Sequence, residues 1–348
     1  MPRIPCIGYT GFGAYVPETE ITNEALAEWV ETSDEWIRRR TGIGGRRILG
    51  ERESILGMAV SAARSALDDA GVRAEEIGEI RVGVNTWMRF PSLATELQRE
   101  IGARNAAASD ISAGCAGFLY AVEGAFEKIL AERVKYDREL IALVVGVDGL
   151  SYITDWTDRS TCVLLGDGAG AVVLREVPRG GILATHTRAQ GQYGHLLYSD
   201  HVLQNQYSEE SGGFTREEKT THPYLHMDGP KVYAIAIDSM VADVHAVIEK
   251  YNALGGERID LDRIDYVYPH QANLRILEQV AARLGIDLDR VYTAGVVRYG
   301  NTSTASIPLG YFDRKSDPRK LDRDRYEIDV SFGAGFASGA ILRKVCAR

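Results

Sequence analysis

Asp110-Ile111-Ser112-Ala113-Gly114-Cys115-Ala116-Gly117-Phe118 is the stretch that decides how this chain folds. An apolar strand ends in a turn of small residues, and a helix begins directly after it. Phe118, Leu119, Val122, Phe126, Ile129 and Leu130 follow at helical spacing and give that helix one buried face. Cys115 falls at the helix N-terminus, where unpaired backbone N–H groups and the macrodipole favour an anion. The thiolate is the nucleophilic form of cysteine, so this position is expected to lower the Cys115 pKa. The small neighbours leave room for a substrate at the sulfur. The competing reading is a small buried core residue, which is the commoner fate of a free cysteine.

Working outward, the same strand-to-helix alternation recurs along the chain. Strands are expected at Arg81–Asn85, Leu140–Val147, Gly170–Leu174, Tyr266–Tyr268 and Ile328–Phe332. Helices are expected at Ser54–Ala70, Cys115–Leu130, Lys231–Lys250 and Leu274–Leu284. Alternation of this kind predicts a layered α/β architecture. The break at Pro178-Arg179-Gly180-Gly181 divides the chain into nearly equal parts, 1–178 and 179–348, each mixed in strands and helices. His195–His226 is polar and reads as a long surface excursion, a type of segment that is usually functional or mobile.

Composition narrows the class of function. Of 348 residues, 45% are hydrophobic and 26% charged, which is ordinary globular usage with ample core. Cys6, Cys115, Cys162 and Cys346 show neither metal-ligand spacing nor disulfide density, so a reducing cytoplasm is expected and no metal. No signal peptide and no apolar run of about 20 residues is visible, so no membrane span is expected. A formal net charge of −9 argues against nonspecific nucleic-acid binding.

Three later segments complete a constellation with Cys115. His270 follows a short apolar strand in Val267-Tyr268-Pro269-His270-Gln271-Ala272-Asn273, at the strand end where an α/β protein opens its cleft. Asn301 lies in Tyr299-Gly300-Asn301-Thr302-Ser303-Thr304-Ala305-Ser306, where it reads equally as an N-cap. Phe332-Gly333-Ala334-Gly335-Phe336 is a turn whose backbone N–H groups could approach a substrate. Leu165-Gly166-Asp167-Gly168-Ala169-Gly170 imitates a phosphate loop but lacks the lysine and spacing of one, so it reads as a close-packed turn. Cys, His and Asn at element junctions suggest thioester chemistry. A thiolate accepts an acyl group, and two hydrogen-bond donors stabilise an enolate.

The chain resembles the β-ketoacyl-[acyl-carrier-protein] synthase III family of the thiolase superfamily, nearly end to end. The resemblance is carried by Thr32-Ser33-Asp34-Glu35-Trp36-Ile37, Arg40-Thr41-Gly42-Ile43, the Cys115 elbow and Asp155-Trp156-Thr157-Asp158-Arg159-Ser160-Thr161. Gly166-Asp167-Gly168-Ala169-Gly170, Pro269-His270-Gln271-Ala272-Asn273 and Gly300-Asn301-Thr302-Ser303 continue it in order. It implies a thiolase-like fold of two similar α/β halves in five α-β-α-β-α layers, and a homodimer. It implies a catalytic triad of Cys115, His270 and Asn301, with an oxyanion hole made by the backbone N–H groups of Cys115 and Ala334. Trp36 and Arg159 are implied to sandwich the CoA adenine, with Thr32 and Arg40 assisting. Phe332 is implied to press near the sulfur, Phe90 to limit acyl length and Arg275 to help dock the carrier protein.

The implied reaction joins an acyl-CoA primer to malonyl-acyl carrier protein with loss of CO2, initiating fatty-acid synthesis. CoA thioesters are then substrates, and no resident cofactor is expected. Several positions depart from the family pattern. Gly229-Pro230 and Ala234 replace common Asn and Lys positions, and Ala334 replaces a glycine whose N–H it keeps. Thr86-Trp87-Met88-Arg89 precedes Phe90-Pro91-Ser92, so Arg89 could read a polar or carboxylated primer, or could be a surface arginine at the dimer interface. These departures keep an alternative open: a related ketosynthase or acyltransferase of secondary metabolism with an unusual primer or a CoA-bound acceptor.

Overall fold

The computed structural model describes residues 4–200, 203–208, 213–218, 222–315 and 323–347. The valine run at 144–147 shows why the first sheet forms where it does. The strand Ile141–Gly149 is buried along nearly its whole length, as a near-continuous apolar run requires when both faces of a sheet are covered. It sits third in a five-stranded sheet, in the order Cys6–Tyr15, Asp167–Val177, Ile141–Gly149, Ile77–Gly83, Ala107–Ile111. The last three run parallel, and the first two pair antiparallel. The chain leaves this sheet at Val177 and enters a second one at Gly181. That sheet has four strands, in the order Ile264–Pro269, Arg325–Phe332, Ser338–Val345, Gly181–Arg188.

Helices fill the layers outside and between the sheets. Ile55–Ala70 covers the first sheet, presenting Ala59, Ala62, Ala63 and Ala66 to it. Its small side chains let the first strand approach closely: a Cβ at Gly13 would lie 2.0 Å from the Ala62 carbonyl oxygen. Ser54 caps its N-terminus, and Gly71 in the left-handed region ends it. Gly229–Asn252 and Leu274–Leu284 cover the second sheet. Gly117–Tyr136 and Ser306–Arg314 lie between the sheets, and their apolar faces share one core with both. The result is five layers, α-β-α-β-α, as the resemblance implied. Arg343 pins the centre: it is buried, pairs with Asp329 and Glu327, and lies 4.7 Å from the Tyr9 ring centre.

Several elements differ from their expected bounds for local reasons. The helix after Cys115 starts at Gly117, because the Ala113 and Gly114 carbonyls are first taken by tight turns to the N–H groups of Ala116 and Gly117. It runs on to Tyr136 and ends at Asp137 with φ +50°. The expected strand at Arg81–Asn85 is instead Ile77–Gly83, and the Asn85 N–H donates to Asp148 Oδ1 at 2.7 Å. The glycines at 168 and 170 lie inside the strand Asp167–Val177, where they admit Leu309 and Pro308. The excursion at 195–226 is not a loop. It carries strands Leu197–Asp200, Leu203–Ser208, Gly213–Glu218 and His222–Met227, paired as two antiparallel ribbons. Residues 201–202, 209–212 and 219–221 of it lie outside the described residues.

One glycine couples the fold to the site. A Cβ at Gly146 would lie 2.2 Å from the Thr304 carbonyl oxygen, so only glycine lets the turn at 303–305 seat on the sheet. Both partners are backbone and neither can swing away. Gly146→Ala should therefore destabilise the chain by about 1–3 kcal/mol, the usual range for overpacking, read as a lower urea midpoint at unchanged m-value.

Candidate active site

Strand ends and turns from both sheets meet at one cavity of about 980 Å³. Cys115, His270, Asn301, Phe332 and Ala334 all line it. Two backbone segments make its floor. A Cβ at Gly333 would lie 2.2 Å from the Cys115 nitrogen, and one at Gly114 would lie 2.3 Å from the Ala334 nitrogen. The amides of Cys115 and Ala334 are thus neighbours in direct backbone contact. Gly114 also has φ +54°, which glycine adopts without strain. Ser331 Oγ donates to the Cys115 carbonyl at 3.0 Å and fastens the strand Arg325–Phe332 to the elbow.

The charge state of Cys115 is the reverse of the expected one. Desolvation pushes its thiol up to about 12, and the buried Asp148 carboxylate adds to the rise. The Ser303 hydroxyl, which donates to Sγ at 3.4 Å, pulls the other way. Cys115 precedes the helix cap Ala116 and so stands outside the first helical turn, where the dipole acts most strongly. Burial wins, and the resting group is a thiol.

His270 is also neutral. Its backbone N–H donates to the Val330 carbonyl at 2.8 Å, and Gln271 spans the Pro269 and Tyr292 carbonyls to hold the turn. The ring is 1% exposed and packs edge-on to Phe332 with centroids 5.6 Å apart. Desolvation lowers its pKa from 6.5 to about 3. Nδ1 lies 2.8 Å from Ser306 Oγ. When that hydroxyl donates, Nδ1 accepts and Nε2 carries the proton.

Asn301 is oriented by a backbone donor. The Ser303 N–H donates to Asn301 Oδ1 at 2.9 Å, so the Nδ2 amide group is the end left for a ligand. Main-chain bonds to Leu164 and Gly166 anchor the residue against the first half of the chain.

Sequence reasoning passed over two polar residues beneath this set, Asp148 and Asn85. Asp148 is fully buried and accepts from the N–H and Nδ2 of Asn85, the N–H and Oγ1 of Thr86, and the N–H and Oγ1 of Thr304. Burial raises its pKa, while these donors stabilise the anion. Asn85 Nδ2 further reaches the Gly114 carbonyl and Ser303 Oγ. The available signal was a lone aspartate ending a valine-rich run.

The remaining expected residues divide. Trp36 and Arg40 line the cavity. Arg159 lies over Trp36, 4.9 Å from guanidinium carbon to ring centre, and donates to the Glu31 carbonyl. The two planes occupy the slot themselves, so a base can enter between them only after Arg159 moves. Thr32 does not line the cavity, and its buried Oγ1 has no partner among the described residues. Arg275 is exposed in the first turn of Leu274–Leu284. Phe90 is wholly exposed, and Arg89 stacks on Trp87 at 3.9 Å. Neither lines the cavity of its own chain, because the stack and the Trp87 bond to the Pro91 carbonyl turn the loop outward; Met88 lines it instead. Among the described residues no group of three or more His, Cys, Asp or Glu could hold a metal.

The depressed His270 pKa has a consequence for stability. Below about pH 6.5 the unfolded chain takes up a proton that the folded chain refuses until about pH 3. Stability is therefore complete above this window and falls as the pH drops through it. Between pH 7.5 and pH 5 the loss from this group should be about 2 kcal/mol. His270→Ala should flatten the pH dependence of the urea midpoint over that range.

Residues 109–191 match the model of 3-oxoacyl-[acyl-carrier-protein] synthase III, and residues 254–345 match the model of its C-terminal part. The chain is 42% identical over 336 residues to a β-ketoacyl-[acyl-carrier-protein] synthase III of Geobacillus kaustophilus, covering 96% of this chain and 97% of the relative. One from Anaplasma marginale is 37% identical over 343 residues, covering 97% and 98%. Among solved structures, the 3-oxoacyl-[acyl-carrier-protein] synthase III of Aquifex aeolicus superposes with a TM-score of 0.83 at 35% identity, covering 97% and 100%. The priming β-ketosynthase of the R1128 polyketide biosynthetic pathway superposes at 0.79 and 31% identity, covering 98% and 97%. Whole-length identity at this level places the chain in the β-ketoacyl-[acyl-carrier-protein] synthase III family.

Proposed function

We propose that this chain carries out the decarboxylative condensation of an acyl-CoA primer with malonyl-acyl carrier protein, the first condensation of fatty-acid synthesis. The observation that carries the reading is the convergence of Cys115, His270 and Asn301 on one cavity whose floor holds the Cys115 and Ala334 amides. Cys115 Sγ bonds to the acyl carbon, the carbon–sulfur bond to CoA breaks, and the thiol proton ends on the CoA sulfur. The two amides hold the tetrahedral oxyanion. The malonyl thioester then places its carbonyl between His270 Nε2 and Asn301 Nδ2. Both donors are neutral, so they lend hydrogen bonds to the forming enolate without quenching it as an acidic imidazolium would by giving it a proton. CO2 leaves, the carbanion attacks the acyl carbon, and the acyl–Sγ bond breaks, releasing Cys115 as a thiolate that takes up a proton to restore the thiol. The product is a 3-oxoacyl-acyl carrier protein.

CoA thioesters are substrates here, and no resident cofactor is needed. Trp36 and Arg159 stack on the base once they part, with Thr32 and Arg40 beside it. Arg275 meets the acidic carrier protein. The chain works in the cytoplasm as a homodimer. Two features support the dimer. Ala107–Ile111 is an edge strand open to a second copy, and the Trp87–Phe90 loop carries a wholly exposed phenylalanine suited to a partner's acyl tunnel. A second reading, a related ketosynthase that primes a pathway of secondary metabolism, is favoured by the likeness to the priming β-ketosynthase of the R1128 polyketide pathway.

Intact-mass measurement after incubation with acetyl-, branched, glutaryl- and aromatic CoA thioesters tests both readings. An adduct on Cys115, absent in Cys115→Ala, names the donor; no adduct from any of them would sink the proposal. A glutaryl preference lost in Arg89→Ala would assign Arg89 to the primer. His270→Ala should still form the adduct but decarboxylate malonyl-acyl carrier protein about 10²–10³-fold more slowly, and Asn301→Ala should show a similar loss, the range for deleting one oxyanion donor. Wild-type decarboxylation by His270→Ala would remove it from this role.

A further inference from the structure

Ser303 is held in a conformation that serine disfavours. Its φ is +52°, in the left-handed region where glycine is at ease and a side chain is not. Gly285 of the same chain meets the same demand at φ +69°. A serine kept there at a backbone cost points to a use for its hydroxyl. That hydroxyl is buried and lies 3.4 Å from Cys115 Sγ, with the serine donating.

A polar network lies behind that hydroxyl. Asn85 Nδ2 points at Ser303 Oγ from 3.4 Å, and the same group donates to the Gly114 carbonyl and to Asp148 Oδ2. A nitrogen facing two such acceptors is the NH2 end of the amide. Its two hydrogens go to those acceptors, and the Ser303 hydroxyl beside it donates to Cys115 Sγ, with the Asp148 carboxylate as the other acceptor within its reach. Asp148 fixes both sides of this network, since it also takes the N–H and hydroxyl of Thr304, the next residue.

We propose that Ser303 stabilises negative charge on Cys115 Sγ during acylation, and that Asp148 and Asn85 are positioning residues that aim its hydroxyl. The inference rests on Cys115 being the acylated nucleophile. As the sulfur gives up its proton and attacks, charge builds on it in a cavity that opposes charge. A single pre-aimed donor offsets part of that cost. Once the acyl–sulfur bond has formed and the proton has passed to CoA, the sulfur is neutral and a poor acceptor. The help is then greatest when charge on sulfur is greatest. Two titratable groups bear on the sulfur: Asp148 behind it, which raises its pKa, and His270, neutral, on the same cavity wall.

The test is alkylation of Cys115 by iodoacetamide between pH 7 and 10, with single-turnover acylation by the best CoA donor, both read by intact mass. Hydrogen bonds to an anion are worth enough to move a thiol by about one to two pH units. A weaker acid gives a stronger nucleophile, with a Brønsted slope of about 0.4–0.5, so the net slowing is smaller than the lost ionisation. Ser303→Ala and Ser303→Gly should each slow alkylation about three- to tenfold at every pH, as a parallel displacement of the log-rate line, and slow acylation by at least as much. Ser303→Gly is the decisive variant, because it deletes the hydroxyl while relieving the left-handed backbone, and Ser303→Ala deletes the hydroxyl with Cβ kept. Asn85→Ala should give the same displacement at smaller size. Folded Ser303→Gly with wild-type alkylation overturns the proposal, as does slowed acylation with undisplaced alkylation. Absence of any adduct in the wild type instead overturns the assignment of Cys115.

Discussion

The whole site hangs on one backbone contact. The elbow at Gly114–Cys115 and the turn at Gly333–Ala334 touch without room for a Cβ on either glycine. One segment follows the edge strand of the first sheet, and the other follows a central strand of the second. Their contact sets the separation of the two sheets at the cavity and brings two amides side by side. Gly146 under Thr304 is the companion contact, seating the turn that carries Asn301 and Ser303. Backbone-to-backbone approach is stiff, since no rotamer can relieve it, and stiffness is what oxyanion stabilisation requires.

Around that contact the chain keeps its reactive groups uncharged. Burial holds Cys115 as a thiol and His270 as a neutral imidazole. A preformed thiolate–imidazolium pair would present a charged ring to the second substrate. A neutral ring with Ser306 at Nδ1 presents one N–H donor, matched by the Asn301 amide. The same apolar burial that discourages ionisation of Cys115 therefore also keeps His270 a neutral donor on the cavity wall. The charge that is present, Asp148, is set one layer deeper, where it is spent on six hydrogen bonds.

Much of this was legible in the order of residues. The valine run, the alternation of strand and helix and the turn before Phe118 led to layered α/β, and the family motifs led to five layers. Helix bounds were less legible at Cys115, because tight turns at Ala113 and Gly114 delay the helix without leaving a sequence signal. The excursion at 195–226 hid its strands, since polar ribbons lack the apolar alternation that reveals a half-buried strand. Asp148 and Asn85 were invisible as site residues because their partners lie 29 to 218 positions away in the chain.

The sequence by itself determined which groups are available: a cysteine at an elbow, a histidine at a strand end, an asparagine in a Gly-Asn-Thr-Ser turn and a glycine-rich turn to receive them. Those are local properties, written in spacing and residue type. Tertiary structure alone decided their chemical state. It made Cys115 a thiol where helix position suggested a thiolate, turned the Asn301 amide to the cavity, closed Arg159 onto Trp36 and drew Arg89 onto Trp87. The reason is that desolvation, through-space charge and hydrogen-bond direction depend on neighbours brought together by folding, and spacing along the chain carries no record of them.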